Sequence, residues 1–275
     1  MFIKTKDNLS LYVNKVGTGA NCIYIHGGPG AWSKDFEVFC KDYLSKDLTM
    51  YYMDQRGCGR SEGDEYSDYS VDAIIDDIEC IRKKFNIDKA ILLAHSFGGI
   101  LATAYAHKYP ENIKGIILMN CTLDMKESLK SQILEGCKIL GVANINNNKD
   151  LKISWQNIIQ ELLECNLYYK LQYSNFDNYL KVSEIDKGIL NTSMAEQSFS
   201  NDSYFYDYRD ISKEIKTPTL IISGEEDLAI GSKHYMTFNF KNYDLKIIKG
   251  RHVPYIENTT ELINSIREFI NNLVE

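Results

Sequence analysis

The chain lacks several things, and each absence narrows what it can be. There is no excess of positive charge: 31 Lys and Arg stand against 38 Asp and Glu, a formal net charge of −7. The basic face that nucleic-acid binding calls for is therefore missing, while neutral or cationic small substrates stay open. The seven cysteines (Cys22, Cys40, Cys58, Cys80, Cys121, Cys137, Cys165) are odd in number, dispersed and without Cys-x-x-Cys spacing. That pattern reads as free thiols in a reducing compartment. No apolar run approaches the roughly 20 residues of a membrane span. The opening Met1 to Asp7 carries charges where a signal peptide needs an apolar core. A soluble, cytoplasmic protein with no membrane partner is expected, its oligomeric state left open. No His, Cys, Asp or Glu cluster has metal-ligand spacing, so neither a metal nor another cofactor is expected.

What is present centres on Leu92-Leu93-Ala94-His95-Ser96-Phe97-Gly98-Gly99. An apolar run ends in a serine flanked at two-residue spacing by Ala94 and Gly98, the pattern of a nucleophile elbow, with Ala94 where the strict pattern has glycine. A serine on a strained strand-to-helix turn needs small neighbours, because strand and helix backbones approach closely there. The context agrees: Lys89 to His95 reads as a buried strand, and Gly99 to Tyr109 as a helix stopped by Pro110.

Along the 275 residues, one large α/β domain with an insertion is expected. Phe2 to Lys6 and Leu9 to Val16 predict a hairpin around Asp7-Asn8, and Cys22 to Ile25 and Leu48 to Met53 predict short buried strands. Apolar positions Val71, Ile74, Ile75, Ile78, Ile81 and Phe85 repeat at helical spacing and lead into the elbow strand. Further strands fall at Gly115 to Met119, Thr219 to Ser223 and Leu245 to Ile248, with a closing amphipathic helix from about Thr260 to Leu273. Parallel strands linked by helices make a mostly parallel, doubly wound sheet. Residues 122–215 break the rhythm with helical pattern, rich in Tyr, Asn and Glu, and almost no glycine after Gly141. They read as a helical cap inserted into a catalytic domain of residues 1–121 and 216–275, lying over the carboxyl edge of the sheet. A second packing layer with no part in the site is the plainer alternative.

An activated serine needs a base, and the base an orienting acid. Of five histidines, His252 is favoured, since it sits just past the last strand in Lys249-Gly250-Arg251-His252-Val253-Pro254. His26 and His95 read as structural, His107 lies mid-helix and His234 follows a loop in an apparent helix. Asp227 ends Ile221 to Asp227 directly after a strand and is the preferred acid, with Asp124 after the preceding strand as its rival. The order Ser96, Asp227, His252 is that of α/β-hydrolases. His26-Gly27-Gly28-Pro29-Gly30 supplies side-chain-free backbone for an oxyanion hole, with the N–H groups of Gly28 and Phe97 as donors.

With His-Gly-Gly-Pro-Gly at 26–30, Asp54-Gln55-Arg56-Gly57-Cys58-Gly59-Arg60-Ser61, and the elbow at 94–98, the chain resembles the proline iminopeptidase family of α/β-hydrolases. The resemblance spans about residues 1–121 and 216–275. It implies an enzyme that cleaves an unblocked N-terminal residue, typically proline, from peptides, with cap glutamates on the free amino group. It also implies that Asp54 and Arg56 brace the site and that Cys58 is a free thiol. Met194 to Phe199 is similar to the family segment presenting an amine-binding glutamate, which points to Glu196 as substrate-binding. The cap departs from the family: Trp155 is its single tryptophan, with no glutamate beside it, and Leu228 stands where some members place a second glutamate. An esterase or amidase acting on small neutral substrates is the neighbouring expectation, and a ligand sensor without turnover the non-enzymatic one. Dehalogenase and epoxide hydrolase chemistry would need a carboxylate at Ser96.

Overall fold

The computed structural model describes residues 1–143 and 150–274; residues 144–149 of the expected insertion lie outside the described residues. Eight strands form one sheet: β1 (Phe2–Lys4), β2 (Ser10–Val16), β3 (Ala20–Ile25), β4 (Leu48–Met53), β5 (Ala90–His95), β6 (Ile113–Met119), β7 (Thr219–Gly224) and β8 (Tyr243–Ile248). Their spatial order is β1-β2-β4-β3-β5-β6-β7-β8. The first two strands pair antiparallel, as the Asp7-Asn8 turn predicts, and β3 to β8 run parallel. Asn8 takes the turn with φ 71°, a left-handed conformation that asparagine tolerates better than most residues.

Both faces of the central strands are buried, which is why these segments read as continuous apolar runs. Successive side chains alternate between two cores. Ile23, Ile25, Leu92 and Ala94 face a core shared with α2 (Val71–Lys84) and α3 (Gly98–Lys108). Cys22, Tyr24, Ile91 and Leu93 face the opposite core, shared with α1 (Lys34–Leu44) and α11 (Thr259–Val274). Helix α1 stands between β3 and β4 in a stretch with no predicted element. Its buried Phe36, Cys40 and Leu44 recur at four-residue spacing, and Asp35 and Glu37 complement its first turn. Helix α2 starts at Ser70, whose hydroxyl accepts from Ala73 N–H at 3.2 Å.

Between β6 and β7 the chain runs through α4 (Met125–Leu140), α5 (Leu151–Glu164), α6 (Tyr169–Gln172), α7 (Phe176–Asp186), α8 (Ser193–Gln197) and α9 (Arg209–Ser212). Ile133, Cys137, Ile158 and Leu162 close a small core of their own between α4 and α5. After β8, α10 (Pro254–Glu257) leads into α11. Among the described residues no helix is long and apolar enough to cross a membrane.

Helix α2 is tied to the loop after β4 by a buried ion pair. The Arg56 guanidinium donates to both Asp77 oxygens at 2.7 Å and reaches Asp7 at 2.9 Å, with the Arg56 and Asp77 side chains 3% and 2% exposed. Removing one partner strands the other charge, which costs about 3–5 kcal/mol. Arg56→Met should lower the melting temperature by roughly 10 °C, and adding Asp77→Leu should recover much of the loss. An unchanged melting temperature in the single variant would show that this pair does not hold the loop.

Candidate active site

The carboxyl ends of β3, β5, β6, β7 and β8 meet at one place, and Ser96 stands at its centre. It follows β5 with φ 54°, a strained conformation for a residue with a Cβ. Crowding enforces it. A Cβ on Gly27 would lie 2.8 Å from the Ser96 Cβ, and one on Gly98 would strike the Ile25 carbonyl. The backbones of β3 and α3 thus close on the elbow from two sides, as the small-residue spacing requires. Ser96 N–H donates to Met119 O at 3.2 Å, and Thr122 N–H donates to Ser96 O at 3.1 Å.

Ser96 Oγ–H donates to His252 Nε2 at 2.9 Å, and His252 Nδ1–H donates to Asp227 Oδ2 at 2.9 Å. Asp227 is fully buried, and its other oxygen accepts from Ala229 and Ile230 N–H at 3.0 and 3.2 Å. The three residues singled out from sequence are therefore joined in one hydrogen-bonded chain. Asp124 lies elsewhere: it caps α4 through Lys126 N–H at 2.9 Å and pairs with Arg209 at 2.8 Å.

The remaining histidines have other partners. His26 is fully buried, donates through Nδ1–H to Gly27 O at 2.8 Å and accepts from Gln55 N–H at 2.9 Å, and burial lowers its pKa. His95 Nε2–H donates to the His252 carbonyl at 2.9 Å; burial, then the neighbouring His252, bring its pKa down to about 3. His234 accepts from Leu123 N–H at 3.2 Å, and burial brings it down to about 4. His107 is exposed beside Glu214. Below its ordinary range, each of the three buried rings stays neutral near pH 7.

Gly28 lines the cavity in front of Ser96 with φ 123°, a conformation that glycine reaches without penalty. Phe97 opens α3, and its buried ring packs edge-on against Tyr204 at 4.8 Å, so the residue following Ser96 is held by its side chain. The loop at 54–61 braces this wall. Asp54 accepts from Ser33 N–H at 3.0 Å and from Arg60 Nε at 2.7 Å, and Arg60 and Ser33 donors hold its carboxylate below the usual pKa despite burial. It also holds the segment carrying Glu196: Gly59 bridges Asn191, Met194 N–H donates to Gly57 O at 3.2 Å, and buried Cys58 touches the Met194 sulfur at 3.2 Å. Cys58 is a free thiol pushed well above its ordinary pKa by burial.

The cavity has a volume of about 560 Å³ and is lined by Ser96, His252 and Gly28 together with Met125, Trp155, Tyr173 and Phe199 of the segment between β6 and β7. Among the described residues three carboxylates line it, Asp35, Asp186 and Glu196, against one lysine, Lys152. Glu196 is exposed and accepts from Thr192 Oγ–H at 2.9 Å. Asp35 and Asp186 are half-buried and were not evident from sequence. Trp32 Nε1–H donates to Asp186 at 2.9 Å, and the Tyr255 hydroxyl donates to Asp35. Burial pushes Asp35 up to about 7 against the Tyr255 bond, with nearby Asp186 adding to the rise; burial raises Asp186 as well. Asp35 follows the glycine-rich turn by five residues and Asp186 ends α7, so no shared motif links them.

The mostly parallel sheet and the strand-end site define the class: this is an α/β-hydrolase fold, and the model of that family matches residues 23–136. Within the class the chain resembles the proline iminopeptidases. The proline iminopeptidase of Saccharolobus solfataricus is 40% identical over 104 residues, 37% of this chain and 33% of that protein. The chain thus spans about a third of that relative's length. The proline iminopeptidase of Heyndrickxia coagulans is 25% identical over 276 residues, covering 94% of this chain and 92% of its own. Among solved structures, the proline iminopeptidase-related protein from Thermus thermophilus superposes with a TM-score of 0.84 at 22% identity, covering 100% of this chain and 97% of its own.

Two substitutions separate the acids. Asp227→Asn should cut kcat by about 10³- to 10⁴-fold, the loss expected when a histidine loses its orienting carboxylate. Asp124→Asn, which retains a capping side chain, should stay within about tenfold of the parent. The reverse ranking in steady-state kinetics would move the acid to Asp124.

Proposed function

We propose that the chain is a serine hydrolase that removes an N-terminal residue, proline or another small residue, from peptides through an acyl-enzyme. The observation that carries this reading is the unbroken 2.9 Å hydrogen-bonded chain Ser96–His252–Asp227 opening onto the cavity. His252 takes the Ser96 proton as the oxygen attacks the scissile carbonyl. The negative charge on that carbonyl oxygen is met by the N–H groups of Gly28 and Phe97, each such donor contributing about 3–4 kcal/mol to the transition state. His252 then returns the proton to the leaving amine, Asp227 stabilises the imidazolium, and water repeats the sequence to release the acid.

Residues 122–215 act in this reading as a cap that closes the substrate's amino end against the sheet. The acidic lining supports a cationic end group. Glu196 offers a carboxylate at an exposed position, and Asp35 and Asp186 offer two that are more buried. A solvated glutamate contributes about 0–1 kcal/mol to an ion pair, so the half-buried pair carries the larger share. The likeness to proline iminopeptidases and the family motifs support the same end group.

The sign of the pH effect follows from Asp35. A carboxyl raised to about 7 is neutral below that pH and charged above it, whereas a peptide amine remains cationic up to about pH 8. KM for a prolyl or alanyl anilide with a free amine should fall between pH 6 and 8, while KM for a neutral acyl ester should stay flat. Asp35→Asn should remove that slope and lower kcat/KM for the free-amine anilide by about tenfold or more. Glu196→Gln should cost up to about fivefold. Ester hydrolysis should change less than twofold in both, and N-acetylated anilides should be poor substrates. Equal cleavage of blocked and free anilides by the parent enzyme would replace the aminopeptidase with an esterase or amidase of small neutral substrates.

A further inference from the structure

Three loops carry Ser96, Asp227 and His252, and one short segment after β6 touches all three. Met119 O and Thr122 N–H bond the Ser96 backbone at 3.2 and 3.1 Å. Between them, Asn120 is 1% exposed and has φ 46°. Its N–H extends the β6–β7 ladder to Ile222 O at 2.9 Å, which aims the side chain across the end of the sheet. There the Asn120 Oδ1 accepts from Gly224 N–H at 2.7 Å, and the Nδ2–H donates to Arg251 O at 2.7 Å. Gly224 is the last residue of β7, three before Asp227, and Arg251 directly precedes His252.

We propose that Asn120 is a positioning residue, whose carboxamide clamps the acid loop to the histidine loop and so sets the Asp227–His252 contact. This rests on the serine-hydrolase reading above and is independent of which acyl group is transferred.

The chemistry of the position selects asparagine. One face must accept and the other donate, which a carboxamide does and a carboxylate does not. The backbone is left-handed, which asparagine tolerates among residues with a polar side chain. The two loops also pack without a spacer elsewhere: a Cβ on Gly224 would strike the Arg251 carbonyl and come within 2.8 Å of Gly250 O. The next carbonyl, that of His252, is held by His95 Nε2–H at 2.9 Å, and His252 N–H donates to Gln172 O at 3.0 Å. The peptide units on both sides of the histidine are therefore anchored, and the Asn120 side chain reaches the acid loop as well, beside the backbone bonds from Glu225 N–H to Ile248 O at 3.0 Å and from Glu226 N–H to Gly250 O at 3.1 Å. Catalysis depends steeply on such placement, a displacement of about 1 Å costing on the order of 10²-fold.

Asn120→Gly keeps the left-handed backbone without strain and deletes only the clamp. Asn120→Asp keeps the outline and the acceptor for Gly224 but loses the donor for Arg251. Each variant is titrated with a fluorophosphonate to count competent serines, and kcat and KM are measured with a p-nitrophenyl ester. Asn120→Gly should label to full stoichiometry, lose about 10- to 100-fold in kcat and keep KM within twofold. Asn120→Asp should fall between Asn120→Gly and the parent in kcat. Unchanged kcat in fully labelled Asn120→Gly overturns the proposal, as does a kcat loss that merely tracks the labelled fraction in both variants. Ser96→Ala runs alongside: turnover there sinks the serine-hydrolase reading itself, whatever Asn120 does.

Discussion

The site hangs on one local constraint, the left-handed backbone of Ser96 at φ 54°. A residue with a Cβ held there stores about 1–3 kcal/mol of strain, so the surrounding packing must over-determine it. Glycines at 27, 98 and 99 let β3, α3 and the segment after β6 close to within backbone contact, and a Cβ on any of them would collide. The strain has a use. It lifts the serine out of the strand so that its hydroxyl faces His252 across the sheet end, while Phe97 N–H and the Gly27-Gly28 backbone stay beside it. Enlarging any of these glycines would disturb Ser96 and its surroundings together.

Electrostatics around the serine are divided by burial. His26, His95 and His234 are driven neutral by their surroundings and serve as fixed donors and acceptors for backbone groups. His252 differs by its company: a buried carboxylate on one ring nitrogen and a hydroxyl on the other. Among the described residues the cavity in front carries three carboxylates and one lysine, the imbalance on which the proposed cationic end group rests. The loop at 54–61 couples these parts, since it holds Ser33 behind the glycine-rich turn and also fastens the segment bearing Glu196.

Much of the fold was legible because the parallel strands are buried on both faces and the elbow has a steric signature in small residues. Strands at Cys22 to Ile25, Leu48 to Met53 and Leu92 to Ala94 are unbroken apolar runs, and the helix from Val71 has a clean apolar face. Helix α1 was missed because it follows a glycine-rich turn and begins with mixed polar residues, its three buried apolar positions being one turn apart. Ser96, Asp227 and His252 could be named because each lies within four residues of a strand end and is of a residue type that nucleophilic catalysis uses. Asp35, Asp186 and Asn120 could not, since their roles come from long-range contacts with Tyr255, Trp32, Gly224 and Arg251 that leave no local pattern. The exposure of Glu196 was likewise invisible, because helical periodicity says nothing about which side of a short helix meets a cavity.

The most direct test of the account is to catch the covalent intermediate. The parent protein is mixed with a p-nitrophenyl ester, quenched in acid within milliseconds, digested and weighed by mass spectrometry. The account predicts a burst of nitrophenol equal to the enzyme concentration and an acyl mass increment on the peptide containing Ser96, absent from Ser96→Ala. Steady turnover with no acylated peptide, or an acyl group on a cysteine such as Cys58 with Ser96 unmodified, would contradict it.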